Sequence, residues 1–396
     1  MISAGKMAMS GMLRPRCSKG IFPVFFSLAV TAILCLQPSP VPGAAEPATA
    51  PSAGWIAGAV HDPAGKTAFV AVEKDIEIWN VENGTLVNTL HGHKEPVQAL
   101  AVSPDGKLLL SGAGHVESQG TRSMDNSARL WDIATGNELK RFDGATALTD
   151  VVMFSPDKEH VLTVAHDRKV RIWDQHTGDV TLTLPYVIPG VTRFGASGVQ
   201  FGHDGRTILG LSVGGASVWD ASTGKELRRI DAGGRGFISA ELAEGDKLVV
   251  TASSDKHICL WDATAGELVR ELTGHTGYVD DVAFNHDGTK VIAGCSDGSI
   301  RLWNAQNGDE VRKIVYDNPQ TPHVILSPDD RFIFGMTKTG GAFWAVDTGR
   351  QLTRMEDVNF AVFTADGSKL LTVARTKANG LCLWDARTGE KIREFR

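Results

Sequence analysis

From residue 54 onward, short apolar runs alternate with polar turns along the chain. Residues 247–266, KLVVTASSDKHICLWDATAG, show the repeating unit. A β-rich run to Thr251 is followed by a turn at Ser254–Asp255, an alternating run from Ile258 to Trp261, and a turn closing at Gly266. Two such runs joined by a tight reversal predict an antiparallel hairpin. The preceding reversal in each unit joins two apolar runs across Pro, Asp and Gly, as in QALAVSPDGKLLLSG (98–112). The tryptophan recurs as Trp79, Trp131, Trp173, Trp219, Trp261, Trp303, Trp344 and Trp384, at spacings of 40–46 residues apart from one of 52. A period near 40–45 that ends a strand on Trp–Asp signals a propeller blade. Five residues after each tryptophan stands a glycine, from Gly84 to Gly389. That is a turn position requiring positive φ, which glycine takes without strain.

The pattern predicts an all-β, eight-bladed β-propeller of four-stranded antiparallel blades over 54–396, with strands a to d running from the axis outward. A seven-bladed ring with one split unit is the alternative. Blade 8 carries four strands of its own, and 46–53 (EPATAPSA) makes a poor strand. The ring is therefore expected to close by face-to-face packing of blades 1 and 8, without strand exchange.

The first stretch differs in kind. Lys6, Arg14, Arg16 and Lys19 precede the apolar run from Ile21 to Leu36, and small residues end at Gly43–Ala44–Ala45. That order predicts a signal peptide over 1–45, or a retained membrane anchor, followed by a disordered spacer at 46–53. The propeller is then exported, either periplasmic or secreted, or held outside the cytoplasm by the anchor. Loss of 1–45 moves the formal net charge from −6 to about −10. So acidic a body excludes a nucleic-acid backbone as partner. It also confines membrane contact to the N-terminal segment, and a monomer is expected. Cys259, Cys295 and Cys382 remain and read as small buried apolar residues, with no disulfide framework.

Stretches such as ARLWDIATGNEL (128–139) and ICLWDATAGEL (258–268) resemble the WD-repeat β-propeller family, in its secreted bacterial form. The resemblance implies a polar network of Trp, Ser/Thr, His and Asp within the blades. In blade 2 it would be Trp131, Ser111, His93 and Asp125. In blade 3 it would be Trp173, Thr163 and Asp167, and in blade 5 Trp261, Thr251 and Asp255. Blade 6 would use Trp303, His275 and Asp297, with Ala293 where the hydroxyl belongs. Blades 4, 7 and 8 carry Val213, Lys338 and Ala378 in place of the aspartate. His93 and His275 thereby read as structural rather than as metal ligands or bases, despite the His91-x-His93 spacing. Trp261→Ala is expected to cost about 3–5 kcal/mol. Changes at Arg193 or Phe194 should stay within about 1 kcal/mol.

Irregularities of the repeat are informative. Extra residues fall in the b–c connection of blade 2 (112–124), the d–a connection before blade 4 (184–197) and, slightly, the b–c connection of blade 8 (375–379). In an up-and-down blade these connections share one rim. Binding residues concentrate on loops of a rigid scaffold. Candidate partner-binding residues are His115, Glu117, Arg122, Tyr186, Val187, Ile188, Arg193 and Phe194, a mixture of aromatic, aliphatic and Arg side chains suited to an interface.

The expected function is a non-catalytic protein–protein interaction scaffold for an unknown protein or peptide, as the resemblance implies. One alternative is a quinoprotein-like, cofactor-binding enzyme, whose repeats share a D-x-x-T-G turn. No adjacent cysteine pair, G-x-S-x-G, H-E-x-x-H or phosphate-cradling loop supports it. Asp280–Asp281 reads as a cap at a blade edge rather than an acid–base pair. The other alternative is an envelope assembly lipoprotein, which needs lipidation at Cys35. No catalytic residue, metal or cofactor is expected.

Overall fold

Both faces of every middle strand must be covered. In strands b of blades 2, 5 and 6 (Leu108–Ala113, Leu248–Ser253 and Lys290–Cys295) five consecutive residues are buried. A continuous apolar run of this kind belongs to a strand packed on both faces. The outer strand Glu226–Asp231, by contrast, buries only Ile230. Sheets of this build stack face to face and leave their fourth strands to solvent.

The computed structural model describes residues 56–115, 123–185, 198–212, 214–234, 236–243, 245–253, 255–316, 323–337, 340–374 and 380–395. Among these, thirty-two strands form eight four-stranded sheets, each made of four consecutive strands in chain order. The blades span 56–90, 97–142, 149–185, 199–231, 237–272, 279–315, 323–356 and 358–395. Pairing within them is antiparallel, as between Ser111 and Arg129 in blade 2. The fold is an eight-bladed propeller, and the seven-bladed alternative falls.

The apolar core is divided among the seams. Eight clusters of buried residues each join one blade to the next. In each, the tryptophan belongs to the later blade and packs onto the earlier one: Trp131 onto Phe69 and Ile78, Trp303 onto Val250 and Leu260. The last seam closes the ring, with Ala59, Val70 and Trp79 of blade 1 against Phe360, Leu371 and Phe395 of blade 8. Trp79 and Phe395 meet edge to face, with ring centroids 5.8 Å apart. Closure is by packing, and each of the two blades keeps its own four strands.

The turn after each tryptophan depends on the neighbouring blade as well as on φ. Gly84 has φ +74°, and its amide bonds Asn80 O at 2.8 Å. The outer strand of blade 8 then reaches over it. Arg393 Nη1 donates to Asn83 O at 2.9 Å, and a Cβ on Gly84 would stand 2.5 Å from Arg393 Cδ. Arg270 lies over Gly308 in the same way and donates to Gln306 O at 3.0 Å. At Gly349 the corresponding carbon, Arg312 Cδ, is 3.5 Å away, which leaves room for a methyl group.

Gly349→Ala should therefore lose only the left-handed backbone penalty, about 1–2 kcal/mol. Gly84→Ala should lose about 1 kcal/mol more by displacing Arg393 from the closing seam. Urea unfolding of both variants measures the difference. Equal losses would remove the inter-blade packing account of these glycines.

Candidate interaction face

Because the strands run up and down in order, the ends of strands b and d and the starts of strands c and a lie on one rim. The blade 2 insertion leaves this rim after Ala113 and returns at Ala128. A single carboxylate ties its two feet. Glu95, in the d–a connection before blade 2, has Oε2 3.0 Å from His115 Nδ1, while its Oε1 accepts the Met124 amide at 3.0 Å. His115 is thus paired at the base of the loop. Glu117 and Arg122 lie outside the described residues, as do Tyr186, Val187, Ile188, Arg193 and Phe194 of the second insertion. Val213, Lys338 and Ala378 also fall outside them. Two exposed side chains that composition did not single out stand on the same rim, Met124 (74% exposed) and Tyr278 (58%). Lys256 Nζ lies 5.9 Å from the Tyr278 ring centroid, within cation–π range.

Behind the rim, blade 2 holds a complete polar network. Trp131 Nε1 donates to Ser111 Oγ at 2.8 Å, and His93 Nε2 meets the same hydroxyl at 2.8 Å. His93 Nδ1 lies 3.1 Å from Asp125 Oδ2, which also accepts the Lys94 amide at 2.9 Å and Arg129 Nη2 at 3.1 Å. Burial lowers the His93 pKa and outweighs the pull of Asp125, so the ring is neutral. Burial alone would raise Asp125, but hydrogen bonds from His93, Ser127 and the Lys94 amide hold it far below the usual carboxylate range. An imidazole bonded at both nitrogens has no lone pair left for a metal or a substrate proton. His91 is a separate case: exposed, it pairs with Asp75 at 2.9 Å.

The other networks are partial. In blade 3 Trp173 donates to Thr163 Oγ1 at 2.9 Å, and Asp167 takes Arg171 at 2.6 Å and the Thr146 amide at 3.2 Å. In blade 5 Trp261 donates to Thr251 Oγ1 at 2.8 Å. Asp255 departs from the expected network. It accepts from Ser253 Oγ and the His257 amide and so closes its own b–c hairpin. The connection entering blade 5 carries no histidine for this carboxylate to face.

In blade 6 Trp303 Nε1, deprived of a hydroxyl by Ala293, donates to Thr273 O at 3.3 Å. His275 Nδ1 is 3.5 Å from Asp297, and burial lowers its pKa to about 4. Burial likewise pushes the neighbouring Cys295 thiol up to about 11. Two bonds lay beyond the sequence pattern. Trp384 donates to Thr372 Oγ1 at 2.7 Å, a spacing stretched by the longer b–c connection of blade 8. Trp79 donates to Glu77 of its own strand at 3.0 Å.

Around the axis, polar side chains of strands a link successive blades. Gln200 Nε2 donates to Leu242 O at 3.4 Å, and Glu241 Oε2 accepts the Phe284 amide at 3.1 Å. Asp281 Oδ2 accepts the Val324 amide at 2.9 Å and lies 3.3 Å from His323 Nδ1. Asp281 thus caps an amide on the inner edge strand of blade 7 and ties it to the inner strand of blade 6.

Burial, with Asp281 nearby, pushes the Glu241 carboxyl up to about 8. Unfolded, it titrates near 4.3. The folded state then holds the extra proton between these values, so stability falls as pH rises from about 4.5 to 8. Glu241→Gln should abolish that slope and gain about 1–2 kcal/mol at pH 9, well short of the full shift because the side chain is partly accessible. Denaturant unfolding at pH 5.5 and pH 9 checks it; parallel pH profiles would contradict the assignment.

The WD40 family (WD domain, G-beta repeat) matches residues 84–132, 136–174, 237–262 and 266–304. Among curated proteins, the chain is similar to small ribosomal subunit protein RACK1y of Oryza sativa subsp. japonica, 31% identical over 38% of this chain and 42% of that one. It is similar to eukaryotic translation initiation factor 3 subunit I of Emericella nidulans, 31% identical over 41% of this chain and 48% of the relative. It is also similar to autophagy-related protein 16 of Arabidopsis thaliana, 25% identical over 46% of this chain and 33% of the relative. The chain spans less than half the length of each of these three. The crystal structure of the computationally designed Ika8 protein superposes with a TM-score of 0.66 at 21% identity, over 84% of this chain and 96% of that one. At that identity the likeness is one of fold alone.

Proposed function

We propose that this chain, an eight-bladed propeller carrying WD40 repeats, is a non-catalytic scaffold that binds a protein or peptide through the rim of b–c and d–a connections. The observation that carries the reading is the Glu95 tie. One carboxylate bonded to His115 and to the Met124 amide holds both feet of the longest insertion on a rigid blade. Anchoring of this kind reduces the ordering cost of binding through a loop. The exposed Met124 and Tyr278 on the same rim supply apolar contact area. Relatives named as a ribosomal subunit protein and an initiation-factor subunit are named for assemblies rather than for reactions, in keeping with a scaffold.

The proposal extends to export, on the strength of the basic, apolar and small-residue order of 1–45 and the spacer character of 46–53. The relatives named above are eukaryotic and lend the secreted bacterial form no support.

The test replaces residues 116–122 by two glycines and compares crosslinked capture from the exported fraction with that of the wild type. Loss of the captured partner at an unchanged melting temperature is the expected result. Capture that survives the replacement would overturn the choice of rim. N-terminal sequencing of the mature protein should begin near Glu46; an intact Met1 would mean a retained anchor, and recovery of the propeller from the cytoplasmic fraction would overturn the export reading.

A further inference from the structure

Blade 6 contains an arrangement that its counterpart in blade 2 lacks. In both, a histidine from the d–a connection faces an aspartate from the b–c connection. In blade 2 the imidazole is held at both nitrogens, by Asp125 at 3.1 Å and Ser111 at 2.8 Å. In blade 6 the hydroxyl is missing, and His275 Nε2 is buried with no hydrogen-bond partner. Its Nδ1 makes only long contacts, 3.5 Å to Asp297 Oδ2 and 3.4 Å to Ser299 Oγ, although the side chain is 1% exposed. The missing hydroxyl accounts for the unpartnered Nε2; the observation that bears on a ligand is Nδ1, which lies in a buried site with only these long contacts. Beside it Cys295 occupies the strand position that Ala113 fills in blade 2. One donor atom from each of His275, Cys295 and Asp297 lies within 4.8 Å of the others.

We propose that His275 Nδ1, Cys295 Sγ and an Asp297 carboxylate oxygen bind a zinc ion, with solvent in the fourth position. A tetrahedral site with metal–donor bonds of about 2.0–2.3 Å sets its donors roughly 3.5 Å apart. The histidine–aspartate pair already has that spacing, and rotation of the two side chains toward the thiol closes the remainder. Thiolate with imidazole selects zinc over magnesium and calcium, which take oxygen donors. On binding, the Cys295 S–H bond breaks, the sulfur keeps the electron pair for the metal, and the proton leaves to solvent; no redox change occurs.

Asp297 is oriented for the role by the Thr276 amide at 2.9 Å and the Ser299 amide at 3.0 Å. Its side chain is 12% exposed, which opens the site to the rim. The loop that would be fixed carries Tyr278, whose amide bonds Ser296 Oγ at 2.7 Å.

Cobalt(II) titration of the metal-depleted full chain tests this. The wild type should develop a thiolate-to-cobalt charge-transfer band that saturates at about one equivalent and disappears when zinc is added. Cys295→Ala places in blade 6 the residue blade 2 carries there, so the fold is retained. It should lose the band and weaken zinc binding by about 100-fold. Cys259→Ala and Cys382→Ala should keep the band. Absence of the band in the wild type, or its survival in Cys295→Ala, would overturn the site.

Discussion

Asp125→Ala is expected to destabilise the protein by about 3–5 kcal/mol, because it leaves a buried charge without its partner. The carboxylate side chain is fully buried and accepts from His93, Lys94 N, Ser127 and Arg129. Arg129, itself 6% exposed, would keep only Glu138, at 2.6 Å on its outer side. His93 and the Lys94 amide would lose their acceptor in a space closed to water. Asp125→Asn retains an acceptor oxygen but removes the charge opposite Arg129, and should cost about half as much. The sign of the pH dependence follows from the depressed pKa. The stabilisation is present above the unfolded value near 3.9 and is lost as pH falls below it. The gap between wild type and Asp125→Ala should therefore narrow on acidification below about pH 4. A gap that widens there, or a loss under about 1 kcal/mol at pH 7, would show that the carboxylate is not the hub of blade 2.

Trp131→Ala should cost about 4–5 kcal/mol, and Trp261→Ala nearer 3 kcal/mol. Both indoles donate to a strand b hydroxyl at 2.8 Å, so the hydrogen bond does not separate them. Burial does. Trp131 is 2% exposed within the seam of blades 1 and 2, whereas Trp261 packs against its seam only partly buried. Area kept in water contributes nothing on folding, and roughly 40 Å² of it is worth about 1 kcal/mol. Urea midpoints at an unchanged denaturant slope give the comparison. A larger loss at Trp261 would mean that the seams are not the main store of apolar stabilisation. Trp131 and Asp125 are linked through Ser111 and His93, so the double variant should lose less than the sum of the two single losses.

The sequence expectation of 3–5 kcal/mol for Trp261 took every repeat as equal. The pattern of apolar and polar positions carries the burial of a strand but not the fit of its neighbour. Thr163 and Thr251 were legible because each stands ten residues before its indole, and Ser111 because it holds the same place in strand b ahead of the blade 2 insertion. Thr372 was missed because blade 8 carries Ala378 where the aspartate that marks the network belongs, although its hydroxyl holds the same place in strand b. Asp255 matched by position and still turned into its own hairpin, since nothing local says which way a surface carboxylate points. The link made by Asp281 to Val324 was missed for a different reason: its partner belongs to the next blade.

The eight repeats, the strand order within each and the glycine turns were determined by the sequence alone, whereas the structure decided that all eight join one ring. The repeats rest on hydrogen bonds and side-chain alternation within about forty residues. Only the tertiary structure decided how the units meet. Arg393 reaches Asn83 across 310 residues to help close the ring, and Glu95 gathers both feet of an insertion. The loss of one hydroxyl at Ala293 leaves His275, beside Cys295, with no hydrogen-bond partner at Nε2. Local chemistry repeats from unit to unit, whereas contacts between units depend on which side chains the ring brings face to face. That placement follows from packing eight sheets around one axis and has no counterpart in the spacing of residues along the chain.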